Sequence, residues 1–269
     1  MTKRDIRILL TNDDGIHAPG FEVLEEIART LSDDIWVVAP EAEQSGASHS
    51  LTLHMPLRLR QLGDKRFGVH GTPTDCVMMA IKHVQPKYGA DKPFDLVLSG
   101  VNRGSNIADD VTYSGTVAGA MEGTVLGIPS IALSQTYSFA PGADINWEPA
   151  RTFAPGIISQ LLDAGWSEKV LININFPGNP VEEIQHVEVT HQGHRDQSIT
   201  IIDERVDPRS EDYFWIGFKG KMSNPPEGTD LRAIYNGRIS VTPLHLNLTE
   251  VSAVETLKAS VSVVPPVRD

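Results

Sequence analysis

The 269-residue sequence has one cysteine, Cys76, so no intramolecular disulfide can form. A reducing compartment is the natural expectation. Cys76 sits in Asp75-Cys76-Val77-Met78-Met79-Ala80, an apolar helical setting with no basic neighbour to lower its pKa, which marks a structural thiol rather than a nucleophile. Long apolar runs are also missing. No stretch approaches the roughly 18 residues that a membrane-spanning helix needs, and the opening MTKRDIRILL lacks the apolar core and cleavage site of a signal peptide. These absences point to a cytoplasmic protein with no membrane partner. Basic residues are scarce, with 23 Lys plus Arg against 35 Asp plus Glu and a formal net charge of -12. That balance argues against duplex nucleic acid, whose phosphates are met by basic side chains. Any phosphate-bearing ligand must be met locally, by a metal, a helix N-terminus or backbone amides. The His and Cys spacing of a zinc site is absent, and so are internal repeats and low-complexity linkers.

What remains is an ordinary globular composition, 40% hydrophobic and 22% charged. The chain is long enough for one large α/β domain or two modest ones. It is organised around Ile6 to Gly20, IRILLTNDDGIHAPG. Ile6 to Leu10 is apolar except for Arg7, as suits a strand buried on both faces of a parallel sheet. It ends in a polar turn with two adjacent carboxylates, Asp13 and Asp14. Such a pair repels itself and is costly to hold without a cation.

Phe21 to Leu31 places Phe21, Leu24, Ile27, Ala28 and Leu31 on one face of an amphipathic helix, and Ile35 to Ala39 is a second buried strand. Together they make a right-handed βαβ unit. A Ser-rich loop, Pro40 to Ser50, follows. Leu51 to Arg60 and Arg66 to His70 alternate apolar and polar residues as a hairpin would. Thr72 or Thr74 caps a helix running to about His83. Further strands are expected at Phe94 to Ser99, Pro129 to Leu133 and Val170 to Phe176, with helices from Ser114 and over Pro149 to Ala164. Strands near residues 6, 35, 95, 130 and 170 interleaved with helices predict an α/β fold, a doubly wound, mostly parallel, Rossmann-like sheet.

The texture changes at Glu182. Alternating segments at Glu188 to Thr190, Tyr213 to Phe218 and Arg238 to Val241, then a helix over Thr249 to Ala259, look like antiparallel hairpins added to the core. A single domain is expected, with residues 1–181 as the core carrying the active site and 182–269 as C-terminal extensions for oligomerisation.

Three loops leave the carboxyl edge of this sheet, where open α/β folds bind ligands. They are Asn12 to Gly15, Gln44 to Ser50 and Val101 to Ser114, and they supply the oxygen donors Asp13, Asp14, Ser45, Asn102 and Asn106. Such donors suit a hard cation, Mg²⁺ or Mn²⁺. Ser114-Gly115-Thr116 then opens a small-residue helix, an arrangement that binds anions. The same small residues would also serve close helix-to-sheet packing.

Several motifs are similar to those of the stationary-phase survival protein E (SurE) family. They are TNDDG-x-x-APG, Gln44-Ser45-Gly46 through Ser48-x-Ser50-Leu51-Thr52, Gly71-Thr72-Pro73-x-Asp75-Cys76-Val77, and Ser99-Gly100-Val101-Asn102-x-Gly104-x-Asn106. Asp110-Val111-x-Tyr113-Ser114-Gly115-Thr116-Val117-Ala118, Gly228-Thr229-Asp230 and Ile239 to Leu244 extend the resemblance over nearly the whole chain. It implies a metal-dependent phosphomonoesterase of nucleoside 5′- and 3′-monophosphates that also trims short polyphosphate. It implies one divalent cation per subunit on Asp13, Asp14, Ser45 and Asn102. Catalytic roles fall to Asp13, Asp14, Asn102 and Ser114, and phosphate contacts to Ser45, Gly46, Asn106, Ser114, Gly115 and Thr116. A homodimer or homotetramer built through C-terminal hairpins is also implied. No leaving-group acid is evident from the sequence; His17 and His49 are candidates, with a bystander role the stronger reading for each. Tyr137 to Asn146 matches no motif.

Two rivals differ in kind. An aspartyl-phosphate phosphatase needs its nucleophile and acid two residues apart, whereas here the acids are adjacent. A non-catalytic nucleotide-binding module leaves two carboxylates facing an anion with no cation between them.

Overall fold

Arg7–Thr11 (β1) is buried along its whole length, and its neighbours on both sides are parallel strands. Its side chains alternate. Ile8 and Leu10 join a core cluster with Phe21, Leu24 and Ile27, while Leu9 joins a second with Trp36, Val77 and Val97. A strand with two apolar faces needs a layer of helices on each. The computed structural model, which describes residues 2–89, 92–137, 144–195, 200–218 and 224–261, supplies both layers.

Helices Pro19–Leu31 (α1) and Glu148–Ala164 (α4) cover one face. Pro73–Met79 (α2) and Gly115–Val125 (α3) cover the other, packed on each other and on the strands. Burying Phe21, Leu24 and Ile27 of α1 contributes about 1.5–3 kcal/mol per side chain. The other strands of the parallel body are Asp34–Pro40 (β2), Arg66–His70 (β4), Leu96–Arg103 (β5), Ser130–Gln135 (β6) and Val170–Phe176 (β7). With Arg58–Gly63 (β3), Val187–Val189 (β8) and Ile239–His245 (β11) they form a nine-stranded sheet of order β3-β4-β2-β1-β5-β6-β7-β11-β8. From β1 the chain winds outward through β2 and β4, then returns through β5 to β6 and β7. The direction of winding reverses between β1 and β5, the crevice where doubly wound sheets bind ligands.

Three sequence expectations shift. Strand pairing in the predicted hairpin begins only at Arg58, because Pro56 lacks a ladder donor and Thr52 is tied to Asp75 by two hydrogen bonds. Thr72, not Thr74, caps α2, with its hydroxyl accepting from the Asp75 amide and the Asp75 carboxylate accepting from the Thr72 amide. Beyond α2 the chain continues past His83 in wide π-helical turns over Ala80–Gly89, where Pro86 has no N–H for a regular ladder.

The region after Glu182 is not all added hairpin. β11 pairs antiparallel with β7, and β8 pairs parallel with β11. Ile239 and Val241 extend the core cluster on one face of β11, while Ser240 and Thr242 share hydrogen bonds with Thr190 on the other. Both faces are thus satisfied inside the main sheet. Among the described residues only Thr200–Val206 (β9) and Asp212–Phe218 (β10) form a separate antiparallel hairpin. The remaining helices are Asp230–Tyr235 (α5) and Val251–Ser260 (α6). No helix among the described residues is long and apolar enough to cross a membrane. Cys76 is fully buried, and burial pushes its thiol well above the usual range.

Candidate active site

The three loops anticipated from the sequence meet over the β1–β5 crevice. Asp13, Asp14, Ser45, Gly46, Asn102, Asn106 and Ser114 share the wall of one cavity of about 550 Å³. The turn after β1 is fixed by Asn12, whose Nδ2 donates to the Gly15 carbonyl at 2.8 Å. The Ser45 loop is tied to that turn by the Gln44 amide, which donates to the Asp13 carbonyl at 2.7 Å.

Asn102 reaches the cavity through an irregularity in β5. The register of β5 against β6 shifts between Ser99 and Asn102, which re-aims the strand end. Gly100 lies within that shift at φ +138, and an added Cβ would stand 2.3 Å from the Leu133 carbonyl oxygen. Only glycine fits there.

α3 is brought to the carboxylates by a glycine stripe. Cβ atoms built at Gly115, Gly119 and Gly123 would stand 2.8 Å from Asp13 Cβ, 2.8 Å from Ser99 Oγ and 2.4 Å from Ser130 Oγ. The stripe lets the whole helix lie flush on β1, β5 and β6. Ser114 caps it, its hydroxyl oxygen accepting from the Val117 amide at 3.0 Å.

Asp13 is only 4% exposed. Burial pushes its carboxyl up to about 6; a hydrogen bond from the Thr116 hydroxyl opposes this and the charge of Asp14 adds to it. Asp14 is also raised by burial, against a hydrogen bond from the Arg103 amide at 3.1 Å and with Glu43 nearby. Neither carboxylate has a cationic side chain in ion-pair contact among the described residues. Two crowded acids without an ion-pair partner fit a bound divalent cation. The neutral donors fit as well. Asn102 Nδ2 is occupied by the Gly104 carbonyl at 2.9 Å, which leaves Oδ1 for a ligand. The Ser45 hydroxyl donates to Glu43 Oε1 at 2.8 Å, which leaves its oxygen lone pairs. Among the described residues no group of three or more His, Cys, Asp or Glu could hold a metal, so a cation here needs those amide and hydroxyl oxygens.

Thr116 and Gly115 are placed differently from the phosphate role expected of them. Thr116 is fully buried and its hydroxyl is committed to Asp13, while Gly115 lies behind the same carboxylate. Asn106 is held from four sides. Its amide donates to Asn175, its carbonyl accepts from Asn173 and Asn175, and its Nδ2 donates to Ser134. His17 and His49 do not line the cavity, and His49 instead pairs with the buried Glu122 at 2.9 Å.

Glu43, Arg103 and Arg195 also line the cavity and were not expected there from sequence, while Asp110 stood in a motif and Tyr137 in the motif-free loop without a role at the site. Arg195 comes from the far C-terminal region and pairs with Asp110 at 2.5 Å. Nearby, the fully buried Asp230 accepts from the amides of Ala108, Gly193 and Leu231 at 2.7–2.8 Å. Burial raises its pKa and those donors oppose the rise. The Gly228-Thr229-Asp230 motif was the available signal, without any indication of its target.

Comparison with known proteins places the family and the fold. The model of the family described as Survival protein SurE matches residues 8–199. A protein of Caulobacter vibrioides named 5'-nucleotidase SurE is 59% identical over 262 residues, covering 97% of this chain and 98% of that one. One of the same name from Parvibaculum lavamentivorans is 58% identical over 254 residues, covering 94% and 90%. Among solved structures, the crystal structure of the SurE protein from Aquifex aeolicus has a TM-score of 0.80 at 39% identity, with 94% of this chain and 99% of that one covered. With a family match over most of its length and relatives this similar end to end, the chain belongs to the SurE family.

Proposed function

We propose that this protein is a divalent-cation-dependent phosphomonoesterase that converts nucleoside 5′- and 3′-monophosphates to nucleoside and phosphate, with short polyphosphate as a further substrate. The relatives named 5'-nucleotidase support the nucleotide. The observation that carries the chemistry is the meeting of one buried and one half-buried carboxylate, neither of them ion-paired among the described residues, with neutral oxygen donors beside the capped start of α3.

In this reading Asp13, Asp14, Ser45 Oγ and Asn102 Oδ1 would hold one Mn²⁺ or Mg²⁺. The bound cation supplies Lewis acidity toward phosphate and water. Asp14, the less buried carboxylate, orients the attacking water. Thr116 fixes the Asp13 carboxylate and is a positioning residue. The Ser114 hydroxyl hydrogen and the second hydrogen of Asn106 Nδ2 meet the phosphoryl oxygens as their charge develops.

The test is phosphate release from AMP with Mn²⁺, with EDTA, and in Asp13→Asn and Asp14→Asn. Activity should vanish with EDTA and fall at least about 100-fold in each variant. Full Mn²⁺-dependent release by both variants, or undiminished turnover in EDTA, would refute it. A homodimer or homotetramer is proposed as well, because Phe214, Trp215 and Ile216 of the β9–β10 hairpin are exposed together. Sedimentation showing a monomer at micromolar concentration would exclude this.

A further inference from the structure

Four carboxylates line the main cavity, on Asp13, Asp14, Glu43 and Asp110, against two guanidiniums, on Arg103 and Arg195. Arg195 is already paired with Asp110. Arg103 has no ion-pair partner among the described residues. Its backbone amide is tied to Asp14 Oδ2, and its side chain is exposed with Cζ 5.7 Å from the centroid of the Tyr137 ring. That ring is seated against Gly104, where an added Cβ would meet Tyr137 Cε2 at 3.3 Å. Arg103 also lines the adjoining cavity of about 500 Å³, with Asp14, Glu43 and Trp147. It therefore stands on the wall between the two.

A divalent cation would offset the carboxylates' excess over the guanidiniums and leave no surplus positive charge for an incoming phosphate dianion. One guanidinium able to move is then decisive. An exposed cation–π contact is weak compared with a forked, charge-assisted pair of hydrogen bonds to phosphate oxygens, so an arriving phosphate outcompetes the Tyr137 ring.

We infer that Arg103 is a further catalytic residue, resting on Tyr137 and transferring its guanidinium to the phosphoryl oxygens of the substrate. This rests on the phosphomonoesterase reading. Arg103→Ala and Arg103→Lys are compared with wild type, all Mn²⁺-loaded, by calorimetric titration with inorganic phosphate and by hydrolysis of AMP and p-nitrophenyl phosphate. Arg103→Ala should weaken phosphate binding about tenfold and lower kcat/KM about 10- to 100-fold on both substrates. Arg103→Lys keeps the charge without the fork and should recover only part. An unchanged Tm for Arg103→Ala would accompany these losses, since the side chain is exposed. Phosphate affinity within about twofold of wild type in Arg103→Ala overturns the assignment, as does a loss confined to AMP, which would tie Arg103 to the nucleoside. If wild type binds phosphate yet hydrolyses no nucleotide, the nucleotidase reading fails, and the phosphate titration still decides the role of Arg103.

Discussion

Removing the charge of Asp13 should stabilise the metal-free protein while it abolishes activity. Burial holds this carboxyl at about 6, against 3.8 for the ordinary side chain. Between those two values the folded state keeps the proton and the unfolded chain releases it, so stability falls as pH rises through the window. Above about 6 the full cost is present, and below about 3.8 it is absent. A gap of about two pK units corresponds to roughly 3 kcal/mol. Asp13→Asn retains an oxygen for the Thr116 hydroxyl, so most of this should be recovered as stability. At roughly 2–4 °C per kcal/mol for a chain of this size, the Tm should rise by about 4–10 °C. Thermal unfolding followed by circular dichroism in EDTA at pH 7.5 and at pH 4.5 checks the sign twice: a rise at the first pH and only about a third of that rise at the second. Saturating Mn²⁺ should reverse the order at pH 7.5, because only wild type then gains the ligation energy. A variant that folds but melts at or below the wild-type temperature in EDTA at pH 7.5 would refute the account of Asp13 as a destabilised, cation-requiring carboxylate.

Two further outcomes follow from packing and charge. Gly119→Ala would gain about 1 kcal/mol of helix propensity, but its Cβ would meet Ser99 Oγ at 2.8 Å and Thr11 Cγ2 at 2.9 Å, and overpacking costs about 1–3 kcal/mol. A Tm lowered by several degrees is expected, and a raised Tm would show that α3 does not lie flush on the sheet. Burial tends to raise the Asp34 carboxyl, but hydrogen bonds from Arg7, Lys65 and Trp36 outweigh it and hold the group at about 2. A depressed carboxylate stabilises above its unfolded pKa and loses that contribution as pH falls toward 2. Asp34→Asn should therefore cost about 1–2 kcal/mol at pH 7 after solvent screening. In urea titrations from pH 7 down to pH 3, the gap to wild type should narrow, and a constant gap would discount the ion cluster.

Five strands of the parallel body, β1, β2, β5, β6 and β7, were legible because each is an apolar run, and α1 because its apolar residues repeat at 3.6, patterns that depend only on near neighbours in the chain. The parallel pairing of β4 with β2 was not, since its alternation showed only a hairpin strand. The convergence of Asp13, Ser45 and Asn102 was legible for a related reason, since loops that follow parallel strands must leave one edge. Less visible were contacts whose partners lie far apart in sequence. Nothing local to Arg195 indicates that it meets Asp110, and nothing local to Thr116 shows that its hydroxyl turns inward to Asp13 instead of outward to a ligand. The added-hairpin expectation for Arg238 to Val241 gave way to a place in the main sheet, because alternation shows that a strand has two different faces but not which sheet receives it. Here Thr190 satisfies the polar face inside the main sheet.

The Asp230 clamp on Ala108 also has a temporal meaning. Asp13 and Asp14 leave the ribosome well before Asp230, the carboxylate that fixes the loop between Asn106 and Ser114, is synthesised. Until that segment emerges, β7 lacks its β11 neighbour and Ala108 lacks its anchor. A nascent chain can therefore assemble the crevice early yet complete its rim only late in translation, so truncated translation products should lack a finished site.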